Sequence, residues 1–99
     1  MNIKINSVHF KADGKLELFI KEKLQKMLSI YEGIIGSEVI LKLENTEDRD
    51  NKMVEIRLLV RGYDLFAKKQ AKSFEEATDQ AMEALKKQLI KHKEKIRGL

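Results

Sequence analysis

From Glu38 to Glu44, from Val54 to Val60 and from Leu65 to Ala71 apolar residues alternate with others, whereas from Leu16 to Tyr31 and from Phe74 to Ile96 they recur at every third and fourth position. One element cannot carry both patterns, because a strand repeats its faces every two residues and a helix about every 3.6. The change of period therefore divides most of the chain into helix, sheet and helix before composition is considered. Proline is absent, so no residue type forces a break inside an element.

Along the chain, Ile3, Ile5 and Val8 alternate with polar residues between Met1 and Phe10, a short first strand. Asp13 is placed to cap the helix that follows, with Gly14 at the turn. Leu16, Phe19, Ile20, Leu24, Met27 and Tyr31 form its apolar stripe, and the helix is predicted over roughly Asp13 to Ile30. Gly33 and Gly36 read as helix stops. A second strand is predicted over Glu38 to Glu44, with Val39, Leu41 and Leu43 on one face. The polar run Asn45 to Asn51 is then a hairpin-type loop. Val54, Ile56, Leu58 and Val60 alternate with Glu55, Arg57 and Arg61, the clearest half-buried strand. Arg61 to Asp64 supplies a tight turn. Leu65, Ala67 and Ala71 share one face of a fourth strand, whose Lys68, Lys69 and Lys72 mark a charged edge. Ser73 and Glu76 form a capping box for the last helix, and Phe74, Ala77, Ala81, Leu85, Leu89 and Ile96 are its stripe.

The predicted order is β-α-β-β-β-α, an α+β chain with both helices packed on one face of a four-stranded sheet. At 99 residues this is one domain, expected to span 1–99.

Charge is distributed unevenly. From Ala84 to Leu99 there are six cations (Lys86, Lys87, Lys91, Lys93, Lys95 and Arg97) against one acid, Glu94, a net +5 where the whole chain carries +4. From Glu44 to Asn51 the balance is −3. A cationic end and an anionic loop orient a protein on a polyanion. The same cations also complement the helix macrodipole. Lysine outnumbers arginine sixteen to four, which suits phosphate contact better than base reading.

Catalytic chemistry finds little to work with. Cysteine is absent, which removes disulfides, thiolate nucleophiles and thiolate metal sites. His9 and His92 stand far apart with no second ligand at metal spacing, so neither a metal nor another cofactor is expected. No serine sits in a nucleophile elbow, and no glycine-rich phosphate loop is present. The reading is a protein that is not an enzyme and has no small-molecule substrate. The longest apolar run is three residues, Leu58 to Val60, and the N-terminus has no export signal, so no membrane association and a cytoplasmic location are expected.

The run Leu85-Lys86-Lys87-Gln88-Leu89-Ile90-Lys91-His92-Lys93-Glu94-Lys95 closely resembles the C-terminal signature of the short ribosome hibernation-promoting factors, the family that also includes ribosome-associated inhibitor A. Four further pieces agree in order: Phe19 to Met27, Val39 to Glu44, Val54 to Ile56 with Val60 to Gly62, and Ala77 with Asp79. The resemblance implies a fold like a double-stranded-RNA-binding domain. It implies docking in the decoding channel of the small ribosomal subunit, against its rRNA, where the protein blocks mRNA and tRNA and inhibits translation in stationary phase or stress. By position, Lys87 and Lys91 match the family's rRNA contacts best. Lys23 and Lys26 are the first-helix counterparts, and Lys86, Lys93 and Lys95 are neighbours. The chain departs from the pattern at Ala84, where many members are basic, and at Lys69, a strand position that is usually small. Because it ends at Leu99, a short form is expected, without the second domain by which long members pair ribosomes. The alternatives are a general double-stranded RNA binder, against which the acidic loop argues, and a transcription-modulating interaction module.

Overall fold

The computed structural model of the chain describes residues 2–31, 33–44, 47 and 49–96; the side chains of Ile30 and of 93–96 lie outside that description. Six elements follow in order: β1 (Asn2–Val8), α1 (Gly14–Ile30), β2 (Ile34–Leu43), β3 (Lys52–Val60), β4 (Tyr63–Ala71) and α2 (Phe74–Ile96). The sheet order is β1-β2-β3-β4. β1 pairs parallel to β2, and β2, β3 and β4 form an antiparallel meander. The predicted β-α-β-β-β-α order and sheet are therefore present.

Local chemistry sets the helix starts. The Leu16 N–H donates to Asp13 Oδ1 at 2.8 Å, so Asp13 caps α1 and Gly14 is its first helical residue rather than a turn. The Glu76 N–H donates to Ser73 Oγ at 3.1 Å, the first half of the expected capping box.

The register makes one face of the sheet apolar. Ile5, Val39, Ile56 and Ala67 form a row across all four strands, and Leu41 with Val54 lies alongside it. Against this face α1 buries Ile20, Leu24, Met27 and Leu28, and α2 buries Ala77, Ala81, Leu85 and Leu89. Each large aliphatic side chain removed from water here contributes about 1.5–3 kcal/mol. A slip of one residue would turn the whole set outward, so the register is strongly specified. The opposite face carries the row Lys4, Glu38, Arg57 and Phe66.

β2 begins four residues earlier than predicted. Gly33 turns the chain with φ +92°, and a register shift between Ile34 and Gly36 lets the strand start at once, leaving Ile35 exposed. Gly36 is a strand residue and not a helix stop. A Cβ there would lie 2.7 Å from the Asn2 carbonyl oxygen, so only glycine lets β1 come this close. At the same end of the sheet, the Arg61 N–H donates to the Gly33 carbonyl at 3.3 Å. At the opposite end of the meander, the Glu44 N–H donates to the Asn51 carbonyl at 2.8 Å and closes the loop between β2 and β3.

His9 takes φ +71°, a left-handed conformation unusual for a residue with a Cβ. It turns the chain out of β1 and sets Phe10 on Phe74, with ring centroids 4.7 Å apart and planes 11° from parallel. The first and last elements are thereby joined. The molecule is elongated, 46 × 25 × 19 Å. Among the described residues no helix is long and apolar enough to cross a membrane.

Candidate nucleic-acid interface

α2 is an amphipathic rod about 35 Å long. Its buried stripe turns Ala77, Ala81, Leu85 and Leu89 to the sheet, and residues between them must face water. Lys86, Lys87 and Lys91 are all exposed. Lys87 and Lys91 stand one turn apart on the same side, as their spacing of four requires. Lys86 points about 100° away around the helix. Lys93 and Lys95 lie within α2 by backbone, but their side chains fall outside the described residues.

The side carrying Lys87 is the side next to β4. The Gln88 side-chain amide donates to the Phe66 carbonyl of β4 at 2.9 Å, tying the helix to the sheet edge. A shallow depression on this flank is lined by Lys69, Asp79, Gln80, Glu83, Ala84 and Lys87.

α1 supplies the other two candidates, Lys23 and Lys26, both exposed. They do not share one environment. Lys23 Nζ lies 3.3 Å from Asp79 Oδ1 of α2, and 5.4 Å from the centre of the Phe19 ring. Its charge is partly neutralised across the helix pair, a geometry that sequence spacing does not reveal. Asp79, noted for its place before the basic run, thus forms an ion pair that joins α2 to α1. Among the described residues no ion pair engages Lys26, Lys86, Lys87 or Lys91. The structure therefore sets Lys87 and Lys91 on the β4 flank and leaves Lys23 as a bridge between helices.

Two aromatic residues had no partner predicted. Tyr63, at the start of β4, and His92, near the end of α2, pack ring on ring with centroids 3.7 Å apart and planes tilted by 36°. Burial raises the Tyr63 hydroxyl above its ordinary pKa of 10.0. No spacing rule connects residues so far apart in sequence. The only signal was that both were aromatic residues without an assigned stripe.

What the surface can do chemically is bind anions. Its side chains are ammonium groups on flexible stems, suited to phosphates through charge rather than fixed geometry. Among the described residues no cluster of His, Asp and Glu is arranged to hold a metal ion.

Comparison with known proteins places this geometry in context. Residues 3–97 match the family model described as sigma 54 modulation protein / S30EA ribosomal protein. A ribosome hibernation promoting factor of Pseudomonas putida is 29% identical over 99 residues, covering 100% of this chain and 93% of that protein. In fold, the chain is similar to a ribosomal subunit interface protein from Coxiella burnetii, with TM-score 0.82 and 19% identity over 94% of this chain and 98% of the other. It is also similar to the Protein Y N-terminal domain of Thermus thermophilus, with TM-score 0.76 and 20% identity over 90% of this chain and 96% of that one.

Proposed function

The chain belongs to the sigma 54 modulation protein / S30EA ribosomal protein family, and from that membership we propose that it is a ribosome hibernation factor. Residues 1–99 act as a single ribosome-binding domain. The protein docks in the decoding channel of the small subunit, and its partner surface there is rRNA backbone. Lodged there, it excludes mRNA and tRNA by occupying their space, and translation stops without any reaction being catalysed. It works in the cytoplasm, in cells that have left growth or are under stress.

One observation carries this reading: Lys87 and Lys91 are exposed together on the β4 flank of α2, away from the stripe that holds the helix to the sheet. These lysines are available to a partner without cost to the core. Lys26 and Lys86 add charge from the two helices, and Lys23 adds what Asp79 leaves of its own. Lys93 and Lys95 continue the basic run by sequence. The helix end also carries the negative pole of the macrodipole, which these cations offset.

Co-sedimentation with purified small subunits tests the reading. Binding is expected to weaken steeply with salt, because cations that replace the counterions of about four to six phosphates lose a few decades of affinity between low and moderately high salt. It is also expected to fall when mRNA and tRNA are added to vacant ribosomes. Affinity that stays flat across the titration, or protein that remains bound at saturating mRNA and tRNA, defeats the decoding-channel reading. Tight binding to a short RNA duplex instead identifies a general double-stranded RNA binder.

A further inference from the structure

We propose that Lys69 of β4 and Lys87 of α2 form a strand-and-helix pair of cations that takes a backbone phosphate of the bound rRNA. The proposal rests on the ribosomal reading above and extends the contact surface from the helices to the edge of the sheet.

Lys69 stands opposite Val54 in the ladder, and two residues earlier Ala67 stands opposite Ile56. Val54, Ile56 and Ala67 are core residues, so position 69 belongs to the helix-facing side of the sheet. Lys69 is nevertheless exposed. β4 is the edge strand of the described sheet, and Ala84, a small residue of α2, lines the same depression as Lys69. An ammonium on that side of the sheet is thus delivered to the flank of α2 and shares one depression with Lys87.

Neither lysine is held by a charged partner. Among the described residues no ion pair engages them. A lysine on the helix-facing side of the sheet can lay its stem along apolar surface, but its ammonium head must reach water or an anion. Two exposed cations facing one hollow repel each other, and an anion between them relieves that repulsion.

The hollow also contains acids, and they set its limits. Asp79 is engaged by Lys23 of α1. Glu83 precedes Lys87 by one turn, an arrangement that favours the helix but opposes an incoming phosphate. Replacing Glu83 by Gln is therefore expected to tighten binding, not weaken it.

Lys68 is the built-in control. It is the adjacent residue, carries the same charge and is also exposed, but it pairs opposite Glu55 on the other face of the sheet. Binding of purified small subunits is measured over a salt series for the wild type, Lys69→Gln, Lys69→Arg and Lys68→Gln, with a thermal melt of each. For Lys69→Gln the expected result is a salt slope lower by about one. Affinity at 0.1 M salt should fall about tenfold, the contribution of one released counterion. Lys69→Arg should bind like the wild type, and Lys68→Gln should match it within about twofold, since a remote charge is screened. Equal loss in Lys68→Gln and Lys69→Gln, or no loss in Lys69→Gln, overturns the proposal while leaving the ribosomal reading intact. Wild-type protein that does not bind the subunits overturns both. A melting temperature lowered in Lys69→Gln and kept in Lys69→Arg, with the salt slope unchanged in both, identifies a structural role and overturns it as well.

Discussion

The rings of Tyr63 and His92, 3.7 Å apart, fasten the turn between β3 and β4 to the far end of α2. Among the described residues near the end of α2, Leu89 is buried and Gln88 bonds to β4, and the ring pair adds a further attachment. His92→Ala is expected to lose about 0.5–1.5 kcal/mol beyond the buried area, the ordinary worth of a ring pair. Hydrogen exchange should rise first in the last turns of α2. Unchanged protection there would mean that the pair is incidental.

The same ring pair predicts a response to alkali. Burial raises the Tyr63 hydroxyl above 10.0, so the unfolded chain releases that proton before the folded one does. The stability linked to this group is whole below pH 10 and is lost as pH rises through the folded value. Urea midpoints measured from pH 8 to 11 should decline at the alkaline end. They should decline less in Tyr63→Phe, which has no proton to lose.

Charge reversal separates folding from binding. Lys87→Glu with Lys91→Glu alters two exposed positions, and such changes usually move stability within about 0.5 kcal/mol. The melting temperature should hold while subunit binding disappears. Leu85→Ala should do the reverse at the level of stability, costing about 2–5 kcal/mol, because Leu85 is fully buried and its loss leaves a cavity. A double variant that folds and still inhibits translation moves the site elsewhere.

Lys23 and Asp79 invite a charge swap. The pair is half-exposed on both sides, so breaking it with Lys23→Ala should cost no more than about 1 kcal/mol. Asp79→Asn frees the ammonium and should tighten binding to the subunit. The swap Lys23→Asp with Asp79→Lys should restore stability and move one cation from α1 to α2. If it also restores wild-type affinity, the position of that charge is unimportant.

At Gly36 the expected effect is purely steric. Gly36→Ala brings a Cβ to 2.7 Å from the Asn2 carbonyl oxygen, and backbone must shift to relieve it. A loss of about 1–3 kcal/mol is expected by chemical denaturation, typical of forcing an extra carbon into a packed site. β1 amides should exchange faster than those of β3. An unperturbed β1 would show that the strand can step aside freely.

Much of the fold was legible because its signals are local. The alternation of Val54, Ile56 and Leu58 can occur only where one face of a strand is buried, and Asp13 and Ser73 announce their helices by caps read over three residues. The start of β2 was missed because Gly36 looks like a helix stop. Its real constraint is a carbonyl 34 positions away in sequence. The candidate site divides in the same way. That Lys87 and Lys91 share a face follows from helical periodicity. That Lys23 meets Asp79, that Tyr63 meets His92, and that Lys69 shares a hollow with Lys87 all depend on how separate elements are brought together. Lys69 did leave a trace, as a long cation in an alternating strand, which composition assigned to edge protection.

The stack of Phe10 on Phe74 and the burial of Leu85 have a temporal consequence. α2 is the last of the six elements to be synthesised, yet it closes one side of the core and grips the first turn of the chain. Until it is released, the inner face of the sheet has only α1 to cover it. Native structure is therefore acquired after translation of α2 and not progressively during synthesis. Lys86, Lys87 and Lys91 ride on that same late element. A nascent chain lacks both its finished core and these exposed cations, and the two arrive together, so the surface proposed for the polyanion is complete only once synthesis has passed that point.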